Sequence, residues 1–158
     1  MLAEVLHATV HSGGSVSFVL PFSLDDARGF WREKVMPGVQ AGTRRVLVAR
    51  VNERIVGTVQ MDLATAPNQP HRADVMKMLV HPDARRRGIA RALMLTLEEV
   101  ARESGRTLLT LDTVTGGNAE GLYRSLGYVT VGVIPGYALP PVGSAFESTT
   151  VMYKVLVG

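Results

Sequence analysis

Leu79-Val80-His81-Pro82-Asp83-Ala84-Arg85-Arg86-Arg87-Gly88-Ile89-Ala90-Arg91 carries an apolar run through a basic turn into a segment of helical periodicity. Ile89, Leu93, Leu97, Val100 and Ala101 recur every three or four residues and Ser104-Gly105 closes the pattern, so an amphipathic helix opens at the turn. Its polar face is expected to hold Arg91, Glu98, Glu99 and Arg102. The first N–H groups of such a helix have no intrahelical acceptor, and the dipole adds roughly half a positive charge there. Gly88 and Ala90 leave the backbone bare, and Arg85, Arg86 and Arg87 add charge around it, so the turn reads as a phosphate site. The competing reading is a solvated arginine run with a glycine that eases a turn. The turn lacks the Gly-Lys-Ser/Thr of a P-loop, and no acid is placed for a Rossmann ribose contact.

Outward from this turn, residues 74–81 alternate as a strand, and residues 44–51 and 55–63 are valine-rich strands joined by Asn52-Glu53-Arg54 as a hairpin. Before them, Leu2, Val5, Leu6 and Val10 mark a first helix ended by Ser12-Gly13-Gly14-Ser15. Ser23 caps a second helix that runs through Phe30 and Trp31 toward Pro37-Gly38. After the amphipathic helix, residues 107–112 form a strand parallel to 74–81, because a helical crossover joins them. Residues 119–126 make a short helix closed by Gly127, and 128–134 and 148–157 make an antiparallel pair across a loop at 135–147. The expected fold is one α+β domain over residues 1–158, a mixed, mostly antiparallel sheet with a parallel central pair flanked by helices.

The chain's 158 residues suit one core, and an excess of 17 lysine and arginine over 14 acidic residues leaves +3, too little to argue for nucleic acid. With no cysteine, a disulfide framework, a thiolate metal site and a cysteinyl intermediate are all excluded. Met1 to His7 has an acid where a leader needs basic residues, and no apolar run reaches membrane-spanning length, so no membrane partner and a cytoplasmic location are expected. His7 and His11 stand four apart at metal-ligand spacing, but no third ligand is evident and no metal is expected. His71 and His81 read as loop and turn residues, and His11 is placed to line an acceptor pocket.

Arg85-x-x-Gly88-x-Ala90 after a strand resembles the signature of the GNAT superfamily of N-acetyltransferases, and the element order resembles that family along nearly the whole chain. The resemblance implies acetyl-CoA as cofactor. It implies that the backbone of Arg86, Arg87, Gly88, Ile89, Ala90 and Arg91 holds the pyrophosphate of coenzyme A, and that Met78, Leu79 and Val80 pair with its pantetheine arm and polarise the thioester. Ala119-x-x-Leu122-Tyr123-x-x-x-Gly127-Tyr128 resembles the family's helix with a tyrosine near the coenzyme sulfur, which makes Tyr123 the general acid, either by full proton transfer or, since a phenol of about 10 is a weak donor to a thiol of about 8.5, by hydrogen-bonding the developing thiolate; alone, it would read as a half-buried core aromatic. Where the family often has an asparagine seven residues earlier this chain has Gly116, with Asn118 as the substitute for a pantetheine contact. The family's usual first strand is missing, which predicts an open sheet edge.

An alkylamine is only about one part in 2,000 unprotonated at neutral pH, so the chemistry needs a base. Asp74 occupies the strand position where related enzymes often carry glutamate and stands four residues before Met78, hence is expected on its face; Asp112, at the end of the adjacent parallel strand, is the second candidate. Each also reads as a strand-end carboxylate that binds backbone amides or the substrate's ammonium, and a water relay could replace either. Val10-His11-Ser12-Gly13-Gly14-Ser15-Val16-Ser17-Phe18, the strand around Asp74, Leu111-Asp112-Thr113 and Ile134-Pro135-Gly136-Tyr137 together resemble the tabtoxin-resistance acetyltransferases, which acetylate a toxin β-lactam amino acid. The expected function is transfer of acetyl to a primary amine of a small molecule, such as a toxin or antibiotic-like amino acid, by direct attack in a ternary complex. The alternatives are a noncatalytic acyl-CoA-binding regulatory module and an acetyltransferase for protein N-termini or lysines. A homodimer is left open.

Overall fold

The computed structural model describes residues 1–157. Helix α1, Leu2–His11, leads through a glycine turn to α2, Leu24–Gly29, which continues as a π-turn at Phe30–Val35 and as α3, Met36–Gln40. Ser23 and Asp26 form a reciprocal capping box at the start of α2, worth about 1 kcal/mol. The second helix expected from the sequence thus runs as one rod, widened where Trp31 and Val35 turn inward.

Strands β1, Arg44–Val51, and β2, Arg54–Asp62, form the hairpin, and β3, Arg72–Val80, pairs antiparallel to β2. A single 3₁₀ turn at Pro82–Ala84 precedes α4, Ile89–Glu103, after which come β4, Leu108–Val114, α5, Asn118–Ser125, β5, Val129–Ala138, and β6, Glu147–Val155. The sheet order is β1-β2-β3-β4-β6-β5, with β3 and β4 parallel and every other pair antiparallel. The outer strands are β1, the open edge expected from the sequence, and β5.

Two apolar cores sandwich the sheet. On one face α4 and α5 bury Leu93, Met94, Leu97 and Tyr123 against Val59, Val75, Leu109 and Met152. On the other, α1 and α2 bury Leu6, Val10 and Ala27 with Leu79, while Val46 and Ile55 pack alongside. Gly57 seats α4 on β2: an added Cβ would meet Ile89 Cγ2 at 3.0 Å and Leu93 Cδ1 at 3.2 Å, so only a bare backbone lets the start of α4 come this close.

Two expectations need correction. Glu98 is buried on the inner side of α4, not on its polar face, because Lys154 of β6 reaches both carboxylate oxygens at 2.7 and 2.8 Å. Strand β5 continues through Pro135 and Gly136 to Ala138, so the loop shrinks to residues 139–146; on an outer strand the missing proline N–H costs no ladder bond.

Candidate active site

The parallel ladder between β3 and β4 holds only three register pairs, Arg72 with Leu108, Ala73 with Leu109 and Asp74 with Thr110. Beyond Asp74 each strand stays with its outer neighbour, β3 with β2 up to Val80 and β4 with β6 up to Val114, so their inner edges part into a wedge. A strand edge left unpaired in this way offers main-chain donors and acceptors to a ligand. The His81 N–H donates to Val56 O of β2 at 2.8 Å. Strand alternation then turns the Val80 amide away from β2 and into the wedge, and the Leu79 amide toward β2. Of the amides expected to face a thioester, Leu79's is therefore committed within the sheet.

A β-bulge interrupts β3 beside the wedge. The register shifts between Thr58 and Gln60, and Lys77 adopts φ 51°. Ala73 and Val75 face α4, and past the bulge Met78 does so while Leu79 faces α1 and α2. Asp74 thus shares its face with Leu79, and the expectation that it shares one with Met78 fails because the extra residue inverts the alternation.

At the head of the wedge, Arg86 has φ 61° and Gly88 φ 76°, an alternation of hand that makes successive N–H groups converge. Ala92 is the first residue of α4 whose N–H is satisfied, by Gly88 O at 3.0 Å, and the N–H groups of Arg86 to Arg91 find no acceptor among the described residues. A Cβ at Gly88 would meet nothing within 4 Å, so the space above the nest is open. The arginines divide their work. Arg85 turns back to Ser12 Oγ at 2.8 Å and Val80 O at 3.3 Å, tying the turn to α1, and Arg91 reaches Ser125 Oγ of α5 at 2.6 Å. Arg86 and Arg87 are exposed beside the bare amides. These features fit a diphosphate.

On the far side of the wedge Tyr123 is buried and packs against Tyr128, ring centroids 5.7 Å apart. Burial, with a smaller contribution from the Asp112 charge, pushes its phenol up to about 12. The turn into α5 is held by the buried Glu120, which accepts from Gly116 N–H at 2.6 Å and pairs with Arg124. Asn118 opens α5 and is exposed.

The two carboxylates differ. Asp74 Oδ1 is held by both Arg72 and Thr110 at the closed end of the ladder. Asp112 lies at the open end, exposed, with Oδ2 accepting from Thr149 Oγ1 at 2.8 Å. Asp112 thus acts on Tyr123 only through its charge, without contact, and Asp74 is kept in an ion pair. His11 Nε2 is committed to Phe22 O at 2.8 Å, and His81 Nδ1 accepts from Asp83 N–H at 3.3 Å. Sequence reasoning missed Lys77, on the bulge between these groups; a lone lysine in an apolar strand was its only signal. A hollow of about 630 Å³ lined by Phe18, Phe22, Phe30 and Lys34 lies over α2.

Residues 42–130 match the family model of the acetyltransferase (GNAT) domain. An uncharacterized N-acetyltransferase of Azospirillum brasilense is 32% identical over 114 residues, covering 70% of this chain and 65% of that protein. Human N-acetyltransferase 8B is 36% identical over 87 residues, 54% of this chain and 38% of that one. The matches thus span less than two thirds of these relatives' lengths. Among solved structures, the putative acetyltransferase yncA of Salmonella typhimurium, determined with its cofactor acetyl-CoA, superposes with TM-score 0.79 at 18% identity over 98% of this chain and 86% of that one. Among the described residues no helix is long and apolar enough to cross a membrane.

Proposed function

Because this chain belongs to the GNAT acetyltransferase family, we propose that it uses acetyl-CoA to acetylate a primary amine of a small molecule, by direct attack in a ternary complex. The observation that carries this reading is the run of N–H groups from Arg86 to Arg91 without acceptors among the described residues, set at the head of the wedge between β3 and β4. Those amides, with the Arg86 and Arg87 guanidinium groups, would hold the diphosphate, and the free edge of β3 at Met78 and Val80 would take the pantetheine arm. Acetyl-CoA supplies an activated acyl carbon and a thiol leaving group.

The chain's own residues then have three tasks. The Val80 N–H, turned into the wedge, donates to the oxygen on which negative charge develops. Asp112, with one oxygen held by Thr149 and the other without a donor among the described residues, takes the proton of the incoming amine. Asp74, engaged by Arg72 and Thr110, shapes the floor. Tyr123 acts toward sulfur. Its phenol at about 12 lies some 3.5 units above a thiol of about 8.5, so full proton transfer would be uphill by about 5 kcal/mol. It therefore stabilises the departing thiolate as a hydrogen-bond donor that stays protonated at working pH.

The likeness to tabtoxin-resistance enzymes directs the acceptor search to amino-acid-like toxins, and we read residues 1–158 as one acetyltransferase domain acting in the cytoplasm. A second copy of the chain would meet the outer strand β5, where Val131, Val133 and Tyr137 are all more than half exposed. The test is thiol release from acetyl-CoA across an amine panel that includes β-lactam amino acids. Release with a small amine supports the reading, and uniformly blank wells with a folded, acetyl-CoA-binding protein overturn it.

A further inference from the structure

Lys77 occupies an expensive position. It is a non-glycine residue at φ 51° on the bulge, and the residue it touches, Ser17 in the loop between α1 and α2, is another at φ 78°. Lys77 Nζ donates to Ser17 Oγ at 2.7 Å and lies 5.8 Å from the centroid of Phe18. Strain of this kind persists where the surroundings over-determine it, and it gathers at ligand clamps. Two such residues bonded across 60 positions of sequence place one ammonium at the mouth of the wedge.

That ammonium lacks an anion. It is half-buried, and no carboxylate forms an ion pair with it among the described residues. The charged groups around it are Asp112, whose attraction is felt without contact, and Arg44, which repels it; burial is the larger effect and holds its ionisation below the usual lysine range. Arg44 is paired with Asp62, and Arg72 with Asp74, so the other acids on this face are taken. Gln60, opposite Met76 in register, is fully buried with neither side-chain amide atom partnered among the described residues. Lys77 Nζ thus has one hydroxyl for a partner among the described residues, while Asp112 Oδ1 has no donor among them and is free to face an amine.

We propose that Lys77, held by Ser17, is the seat for a carboxylate on the acceptor, so that the acceptor is an amino acid whose amine is presented to Asp112 and whose carboxylate is bound at the bulge. This rests on the small-amine reading above and adds the acceptor class. Lys77 acts as a specificity residue: it binds the acceptor's anion and takes no part in the proton transfers.

The test compares acceptors with their decarboxylated counterparts: phenylalanine with phenethylamine, methionine with 3-methylthiopropylamine, and 2,4-diaminobutyrate with 1,3-diaminopropane. The carboxylated member of at least one pair should be preferred about tenfold or more in kcat/KM by the unsubstituted protein, as expected of a charge-assisted contact. In Lys77→Met that preference should collapse toward one, with Lys77→Arg restoring part of it. Equal use of both members, or a preference that survives Lys77→Met, overturns the proposal. Calorimetric titration of the same amino acids into coenzyme A-loaded protein reads the seat without turnover. If no amine releases thiol, the small-amine reading falls, while binding abolished by Lys77→Met keeps the carboxylate seat; binding equal in both proteins, or absent from both, removes it.

Discussion

Two turns lead from a strand of the parallel pair into a helix, one from β3 into α4 and the other from β4 into α5, and they treat their main-chain donors in opposite ways. In the second, Thr115 N–H goes to Ser148 O, Gly116 N–H to Glu120, and Gly117 N–H to Val114 O. In the first, six consecutive N–H groups from Arg86 to Arg91 find no acceptor among the described residues. Both contain glycine at positive φ, so conformation alone does not separate them. Glu120 is buried, and a buried carboxylate left without donors costs at least about 1–3 kcal/mol, which is why it draws the Gly116 N–H and closes the α5 turn. The α4 turn is solvated until an anion arrives. On the proposed reading, one turn positions a side chain and the other is itself the binding group.

The largest expected effect tests what the closed turn positions. Tyr123→Phe should lower kcat by about 100-fold or more while leaving the affinity for acetyl-CoA nearly unchanged, as steady-state rates and calorimetry would show. The same phenol, held up to about 12, implies that the unsubstituted enzyme's kcat/KM keeps rising with pH until the acceptor amine is neutral, with no falling limb from Tyr123 below about pH 11. A falling limb near pH 9 that disappears in Tyr123→Phe would assign the phenol a lower value and full proton transfer.

Next comes Glu120→Ala, which strips Gly116 N–H of its acceptor and Arg124 of its partner. Stability should fall by about 2–3 kcal/mol in chemical denaturation, with kcat reduced through displacement of Tyr123. Opening the closed turn should not make it an anion site, and retained acetyl-CoA affinity in this variant would sharpen the contrast.

Gly88→Ala acts on the open turn. Its Cβ would meet no atom, so the cost comes from φ 76°, about 1–2 kcal/mol, and acetyl-CoA affinity should weaken about tenfold as the nest relaxes. The smallest effect is Arg87→Gln, about threefold in affinity and shrinking further at high salt, because an exposed guanidinium is screened where backbone amides are not. Equal losses for Arg87→Gln and Gly88→Ala would mean that side-chain charge, and not the main chain, holds the diphosphate.

How far these features could be read from the sequence depends on how local their causes are. Arg85-x-x-Gly88-x-Ala90 and the period of Ile89, Leu93, Leu97 and Ala101 are local, and they located α4, its open start and the parallel pair flanking it. The bulge at Lys77 was not legible, because Met76, Lys77 and Met78 have long side chains that suit either face and a single inserted residue leaves no mark on composition. The face of Asp74 was misread for that reason. The burial of Glu98 was hidden because Lys154, which makes it tolerable, is 56 residues away. The wedge itself arises from the two outer neighbours that draw β3 and β4 apart, a tertiary cause no window of sequence contains.

The buried pair of Glu98 with Lys154 also bears on how the protein emerges during synthesis. Helix α4 is complete well before the last strand is made, yet its inward carboxylate has no counter-charge until Lys154 has left the ribosome. An unpaired buried charge costs several kcal/mol, so a nascent chain that has reached only β5 keeps that helix from settling on the sheet. The donors at its start therefore acquire a rigid platform only once β6 has been made, and partial chains stalled at β5 are expected not to retain the coenzyme.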